Sequence, residues 1–363
     1  MSTLPDASTP RSQPAELFTL AESDLADVAR FIATQSGRSP ESVEAYLRWF
    51  WLENPAREPE EPLGFGLRSA DQLVGCILCC PQAFCFGKKR IVLKGSSSFY
   101  VDERYRGHGG RIFLQYSRFG NKQPIFGTSA NAEAAALWKA AGASPIPGSD
   151  GELLGVLRWP PVVEEFVQRR YSNRVLSRLA GSPISTLAGF FRPLKIDCEA
   201  SDALQLLTSP EQVNDLLVHD RSAKLTAMRD LPYIRWRYFS GRDSTVAVFA
   251  FRSRQTDRES LVTVNQRTRG YRNQINTLNL LDVCPEVPPD GFIRIVGALI
   301  ARYSKIVDAV VLRYQSPPQQ NLFGEAGFQW RAFDAPTGWL LDKARRFSAN
   351  DWYFVPADGD GLI

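Results

Sequence analysis

The chain has 363 residues, enough for two domains of ordinary size, each with its own core. An apolar fraction of 44% and an aromatic fraction of 11% are globular values and exclude a disordered chain. A formal charge of +4 suits an anionic ligand but lacks the basic excess that marks a nucleic-acid binder, so no nucleic-acid partner is expected.

Cys76, Cys79, Cys80 and Cys85 share one apolar stretch, and Cys198 and Cys284 stand alone. Cys76-x-x-Cys79 lacks a second pair, and the only histidines are His108 and His219. Buried thiols in a reduced compartment are expected, with no metal site. Met1 to Glu16 is polar with three prolines, unlike a signal peptide, and no apolar run nears the ~20 residues of a membrane span. A cytoplasmic protein is expected.

In chain order, residues 1–15 read as a loose tail. Leu17 to Leu20 is a strand, followed by a helix with Leu25, Val28 and Phe31 on its apolar face. Ser39-Pro40-Glu41 starts a second helix, which Asn54-Pro55 closes. Gly64 to Leu67 and Leu73 to Cys80 flank a turn at Ala70-Asp71-Gln72 and predict a hairpin. Ile91 to Leu93 and Ser97 to Val101 are extended. Arg111 to Phe119 predicts a helix stopping at Gly120, Pro124 to Ser129 a short strand, and Ala132 to Ala141 a helix ended by Gly142.

The same grammar then returns. Tyr46-Leu47-Arg48-Trp49-Phe50-Trp51 recurs as Tyr233-Ile234-Arg235-Trp236-Arg237-Tyr238, 187 positions on. Leu137-Trp138-Lys139-Ala140-Ala141-Gly142-Ala143 recurs as Leu322-Phe323-Gly324-Glu325-Ala326-Gly327-Phe328, 185 positions on. Two matches at nearly one offset predict a duplicated domain. Pro160-Pro161 is read as the end of the first unit, residues 16–159. Residues 160–195 alternate Arg169, Arg170, Arg174 and Arg178 with Phe166, Val175 and Leu179, a basic helical linker that packs between domains or touches a membrane surface or partner. Residues 196–363 form the second unit.

The most informative stretch runs from Ser97 to Arg111. An extended segment, Phe99-Tyr100-Val101, enters a turn containing Gly107, Gly109 and Gly110, and the turn opens a helix. A helix start presents unpaired N–H groups at its positive end, and glycines permit positive φ and close ligand approach. Such a loop cradles a phosphate or diphosphate. Arg104, Arg106 and Arg111 add positive charge, and His108 sits among the glycines. A Walker loop fails because Arg111-Ile112 follows Gly110, and a dinucleotide fingerprint fails because Ile112 occupies its sixth position.

What remains is Arg104-x-x-Gly107-x-Gly109 after a strand, followed by Asn131-x-x-Ala134-x-x-Leu137-Trp138-x-x-x-Gly142. Over residues 17 to 158 this resembles the GCN5-related N-acetyltransferase (GNAT) family. The resemblance implies an α+β fold of two tandem GNAT-like domains, each a mixed, mostly antiparallel sheet flanked by helices. It implies acetyl-CoA or another acyl-CoA as co-substrate, a small-molecule amine as acceptor, and a diphosphate held by the loop. It places Asn131 near the pantetheine arm, although Asn is also a good N-cap. Many family members carry Tyr where Trp138 stands, so Trp138 is expected to wall the acyl pocket or fill the core. Glu44, Glu53, Tyr100, Asp102 and Glu133 could each accept a proton, and none stands out. In the second unit the loop position reads Cys284-Pro285-Glu286-Val287-Pro288-Pro289-Asp290-Gly291, whose prolines offer no N–H and whose acids repel phosphate. A degenerate second copy is expected. A non-catalytic acyl-CoA sensor or scaffold, and an aminoacyl-tRNA-dependent transferase of the same fold, remain the alternatives.

Overall fold

The computed structural model describes residues 14–171, 194–196, 203–216, 224–252, 259–270 and 274–359. The expected tail and most of the expected linker lie outside them.

The first copy opens with β1 (Glu16–Leu20), α1 (Leu25–Ser36) and α2 (Pro40–Leu47). Ser39 caps α2 by accepting from the Ser42 amide, with Pro40 at the first helical position, as the sequence predicts. The helix runs on into a π-helical turn, Arg48–Leu52, that buries Trp49, Phe50 and Trp51. β2 (Gly64–Ser69) and β3 (Gln72–Phe86) form the hairpin, its two-residue turn held by Ala70 and Asp71 at positive φ. The two extended segments that follow are one strand, β4 (Lys89–Val101). Then come α3 (Gly109–Ser117), β5 (Ile125–Gly127), α4 (Ala132–Ala140), β6 (Ser144–Pro145) and β7 (Gly151–Val156).

Pro160 and Pro161, read as the end of the first unit, open a helix. They lie in the first turn of α5 (Trp159–Tyr171), where a missing N–H costs nothing. The second copy supplies β8 (Ala203–Leu207), β9 (Leu225–Ala227), α6 (Leu231–Tyr238), β10 (Val246–Arg252), β11 (Glu259–Arg269) and β12 (Ile275–Cys284). α7 (Pro289–Tyr303), β13 (Ala309–Arg313), α8 (Pro317–Glu325), β14 (Gln329–Ala332), β15 (Trp339–Leu341) and β16 (Trp352–Tyr353) complete it.

Two mixed sheets result. One runs β1-β2-β3-β4-β5-β15-β6, with β9 and β16 added beside β3; the other runs β14-β7-β13-β12-β11-β10-β8. Each contains a short parallel pair, β4 with β5 and β12 with β13. The copies exchange a strand: β7, from the first half, lies between β13 and β14, and β15, from the second, lies between β5 and β6. The sheets therefore do not divide where the chain does, because Gly151–Val156 precedes the expected boundary at residue 159 yet belongs to the second sheet.

The repeated aromatic helices meet face to face. Trp49 Nε1 donates to the Trp236 carbonyl at 2.9 Å, and Trp236 Nε1 donates back to the Trp49 carbonyl at 2.8 Å. Their rings lie 5.5 Å apart. This reciprocity places a local pseudo-twofold axis between the copies. One core, including Leu47, Trp49, Phe50, Ile234 and Trp236, spans both halves; separate cores lie under α3 and α4 and under α7 and α8.

Candidate functional site

The site begins where a sheet splits. β4 and β5 pair only through Lys94–Ile125, Gly95–Phe126 and Ser96–Gly127. β5 then ends, while β4 continues to Val101 with β3 on its other side. From Ser97 onward, the β5-facing edge of β4 has no strand beside it among the described residues. Gly127 makes the split possible: a Cβ there would lie 2.7 Å from the Trp138 ring and 2.8 Å from Ser96 Oγ. Trp138 is buried and packs edge-on to Phe113, 5.1 Å between centroids. It fills the wedge, forming core and cleft wall together.

β4 also bulges there. Cys76 faces Tyr100 and Leu78 faces Ser97, so β4 carries one residue more than its partner. Ser98 takes φ +50°, a region a non-glycine residue seldom occupies. The Cys76 thiol donates to the Ser98 carbonyl at 3.5 Å. Burial pushes its pKa up to about 12, so it is a packing group and not a nucleophile. The other described cysteines are free thiols, buried except for half-buried Cys85.

The split opens into a cleft of about 1230 Å³ between the sheets. Phe99, Tyr100, Val101, Arg106, Gly109, Gly110, Asn131 and Trp138 all line it. Arg104, Gly107, His108 and Arg111 do not. Arg104 folds back onto Asp102, donating through Nε at 3.2 Å and Nη2 at 3.3 Å. Arg111 Nη1 lies 3.0 Å from His108 Nδ1 and 3.3 Å from the Ala15 carbonyl. Asn131 caps α4, its side-chain oxygen accepting from the Ala134 amide at 2.9 Å.

The glycine loop differs from its expected form. Residues Glu103–His108 wind into a 3₁₀ turn leading directly into α3. The Arg104 amide donates to Asp102 Oδ1, the Tyr105 amide to the Asp102 carbonyl and the Gly109 amide to the Arg106 carbonyl. Neither Gly107, Gly109 nor Gly110 takes positive φ. The glycines thus serve access, not chain reversal: a Cβ on Gly110 would meet nothing within 4 Å. The part of the loop that lines the cleft contracts to Arg106 and the first turn of α3.

Of the five candidate proton acceptors, only Tyr100 and Glu133 line the cleft. Glu44 pairs with Arg48, Glu53 with Arg242, and Asp102 caps the 3₁₀ turn. Ser97 and Ser98, at the start of the stretch singled out in the sequence, line the split together with Ser96, which was not singled out. The serine run ending in Phe99 was the available signal for Ser96; nothing in the sequence marked the arginines of the facing sheet.

The second copy repeats the split, and Leu280 and Leu281 at its bulge line the same cleft, but the strand beyond them is occupied. β12 and β13 pair through Thr277–Ala309 to Asn279–Val311, and β12 then bulges at Leu281, 183 positions after Ser98. Beyond that point the strand is taken up by the protein. The Tyr353 hydroxyl donates to the Val283 carbonyl at 2.7 Å. Asp282 binds Arg229 through both oxygens, at 3.0 and 3.1 Å, and accepts from Tyr238 at 2.5 Å. In the loop that follows, Glu286 pairs with Lys224 at 2.6 Å.

Split parallel strands, a bulge beside the split and a helix starting at its mouth, all repeated once with exchanged strands, define a tandem GNAT fold. Solved structures agree. A GCN5-related N-acetyltransferase from Anabaena variabilis superposes with a TM-score of 0.55 at 13% identity, covering 91% of this chain and 74% of its own. One from Kribbella flavida gives 0.52 at 14%, covering 91% and 72%. Saccharomyces cerevisiae N-myristoyltransferase, solved with bound myristoyl-CoA, gives 0.53 at 11%, covering 91% and 79%. No family model matches the sequence, and no curated protein matches it.

Proposed function

We propose that the protein is an acyl-CoA-dependent N-acyltransferase that acylates the amine of a small metabolite or sugar, with acetyl-CoA the simplest donor. The observation that carries this is the open β4 edge from Ser97 to Val101, with the first turn of α3 at the cleft mouth. Pantetheine is an amide-containing chain, and a strand edge with main-chain groups to spare is suited to pair with it. Arg106 and the positive end of α3 suit its diphosphate. The cleft exceeds the roughly 300–1,000 Å³ of ordinary small-molecule pockets, leaving room for a second substrate.

Aminolysis of a thioester needs N–H donors for the developing oxyanion, a neutral amine and a route for its proton. Backbone amides at the β4 bulge are the natural donors, since the bulge turns them out of the ladder. Trp138 has no acidic hydroxyl to protonate the leaving thiolate, but a thiol of pKa ~8.5 departs tolerably near neutral pH. The second copy, whose strand beyond Leu281 is occupied by Arg229, Tyr238 and Tyr353, shapes the acceptor half of the cleft.

Isothermal titration with acetyl-CoA, followed by free-thiol release on adding amines, tests the reading. Binding without thiol release across a broad amine library leaves a sensor. No binding sinks the proposal.

A further inference from the structure

The facing wall of the cleft is cationic. Glu152 lies on β7, the strand that the first half lends to the second sheet, in register with Arg313 on β13 and Arg331 on β14. Arg269 Nη1 donates to both of its oxygens at 3.1 Å, Arg313 Nε donates to Oε2 at 3.2 Å, and Arg331 Nη1 lies 3.6 Å from Oε1. Burial works to raise the Glu152 pKa, but Arg269 and Arg313 prevail and hold it below the ordinary value, so the group is ionised.

Three guanidinium groups thus share one carboxylate, which can neutralise only one of them. The Arg269 and Arg313 side chains are 32% and 36% exposed and line the cleft with Arg267. Asn279 Oδ1 fixes Arg269 from the other side, accepting from Nη2 at 2.9 Å. These forks are held in place before any ligand arrives. They belong to the opposite sheet from Arg106 and α3, and the acidic residue lining the cleft, Glu133, sits on the first copy's α4.

We propose that this wall is an anion subsite for the acceptor, whose amine therefore comes on a molecule bearing a carboxylate or phosphate. Arg269 and Arg313 grip the oxyanion in bidentate fashion, Arg267 beside them being paired with Asp243, while the amino group reaches toward the β4 bulge. The assignment rests on the acyl-CoA reading, and the strand exchange gives it a structural cause: Glu152 arrives from the other half and gathers the arginines.

The test titrates matched acceptors into protein saturated with CoA: amino acids against their amides, and amino-sugar phosphates against the free amino sugars. The anionic member of at least one pair is expected to bind about tenfold tighter or more. Arg313→Gln should erase that preference and leave CoA affinity unchanged; Arg269 still pairs Glu152, so the fold has no stranded carboxylate. Whichever pair shows the preference separates carboxylate from phosphate. Equal binding within both pairs overturns the subsite, and so does an equal loss of CoA affinity in Arg313→Gln, which would give the arginines to the donor. If CoA itself fails to bind, the acyltransferase reading fails. The same pairs titrated into the unloaded protein, or into wild type alone should the variant misfold, still decide the anion subsite.

Discussion

Gly110→Glu separates stability from cofactor binding. Gly110 is the second residue of α3, and a side chain there would meet no atom within 4 Å. Replacing a helical glycine with a good helix former stabilises by up to about 1 kcal/mol, and an acid in the first turn adds about 0.3–1 kcal/mol through the helix dipole. The variant should therefore resist urea slightly better than wild type. Its carboxylate, however, projects where a diphosphate is expected. Two like charges about 5 Å apart at an effective dielectric near 20 repel by about 3 kcal/mol, and salt reduces this to about 2. Acetyl-CoA affinity should fall roughly 30-fold or more. Gly110→Ala should bind within a few-fold of wild type, and Pro288→Glu, at the matching helix start of the second copy, should not change affinity. Isothermal titration and urea denaturation of the same preparations read both effects. A stable Gly110→Glu protein with wild-type affinity would place the diphosphate elsewhere.

Three further outcomes follow from the buried polar contacts. Trp49→Phe and Trp236→Phe each strand a carbonyl at the axis between the copies, costing about 1–3 kcal/mol. Because the indoles touch, the double variant should depart from additivity by about 0.5 kcal/mol or more in urea unfolding. Arg229→Met leaves Asp282 and Asp358 buried without their shared cation and should cost about 3–5 kcal/mol, recovered in part by adding Asp282→Asn and Asp358→Asn. Burial pushes Asp358 from 3.8 up to about 7; Arg229 opposes the shift and Asp282 adds to it. The native state thus keeps a proton that the unfolded chain releases. Its contribution to stability is full below pH 3.8 and is lost as pH rises through about 7. Asp358→Asn should flatten that fall in urea midpoints between pH 4 and 7.

Local chemistry was legible in the sequence, and long-range placement was not. Ser39-Pro40 and Asn131 each cap the helix they precede, and the Ala70-Asp71 turn takes the positive φ its hairpin needs. The repeat was legible because the same aromatic helix is used twice at one axis. Pro160-Pro161 opens a helix, where proline's missing N–H is tolerated, in keeping with the helical linker read from residue 160. Glycine spacing indicated a cofactor loop but not its backbone: flexibility permits positive φ without requiring it. β7 and β15 show no apolar–polar alternation to mark them, and equivalent strands of two copies fit either sheet equally well, so the exchange leaves no local trace.

That exchange explains how one fold, used twice, holds one open cleft. Identical copies joined end to end would carry two donor splits facing alike surroundings. Here the second copy's strand is occupied beyond its bulge: Arg229 and Tyr238 hold the Asp282 carboxylate and Tyr353 the Val283 carbonyl, while Leu280 and Leu281 face the shared cleft. With its strand occupied there, the second copy is free to turn a different surface to the first. The surface it presents is the arginine row on β11 and β13, assembled around Glu152. Neither half carries that row alone, since the carboxylate comes from one and the arginines from the other. On the acyl-CoA reading proposed above, the copy whose strand is occupied at Asp282 is the one that turns the charged wall toward the acceptor.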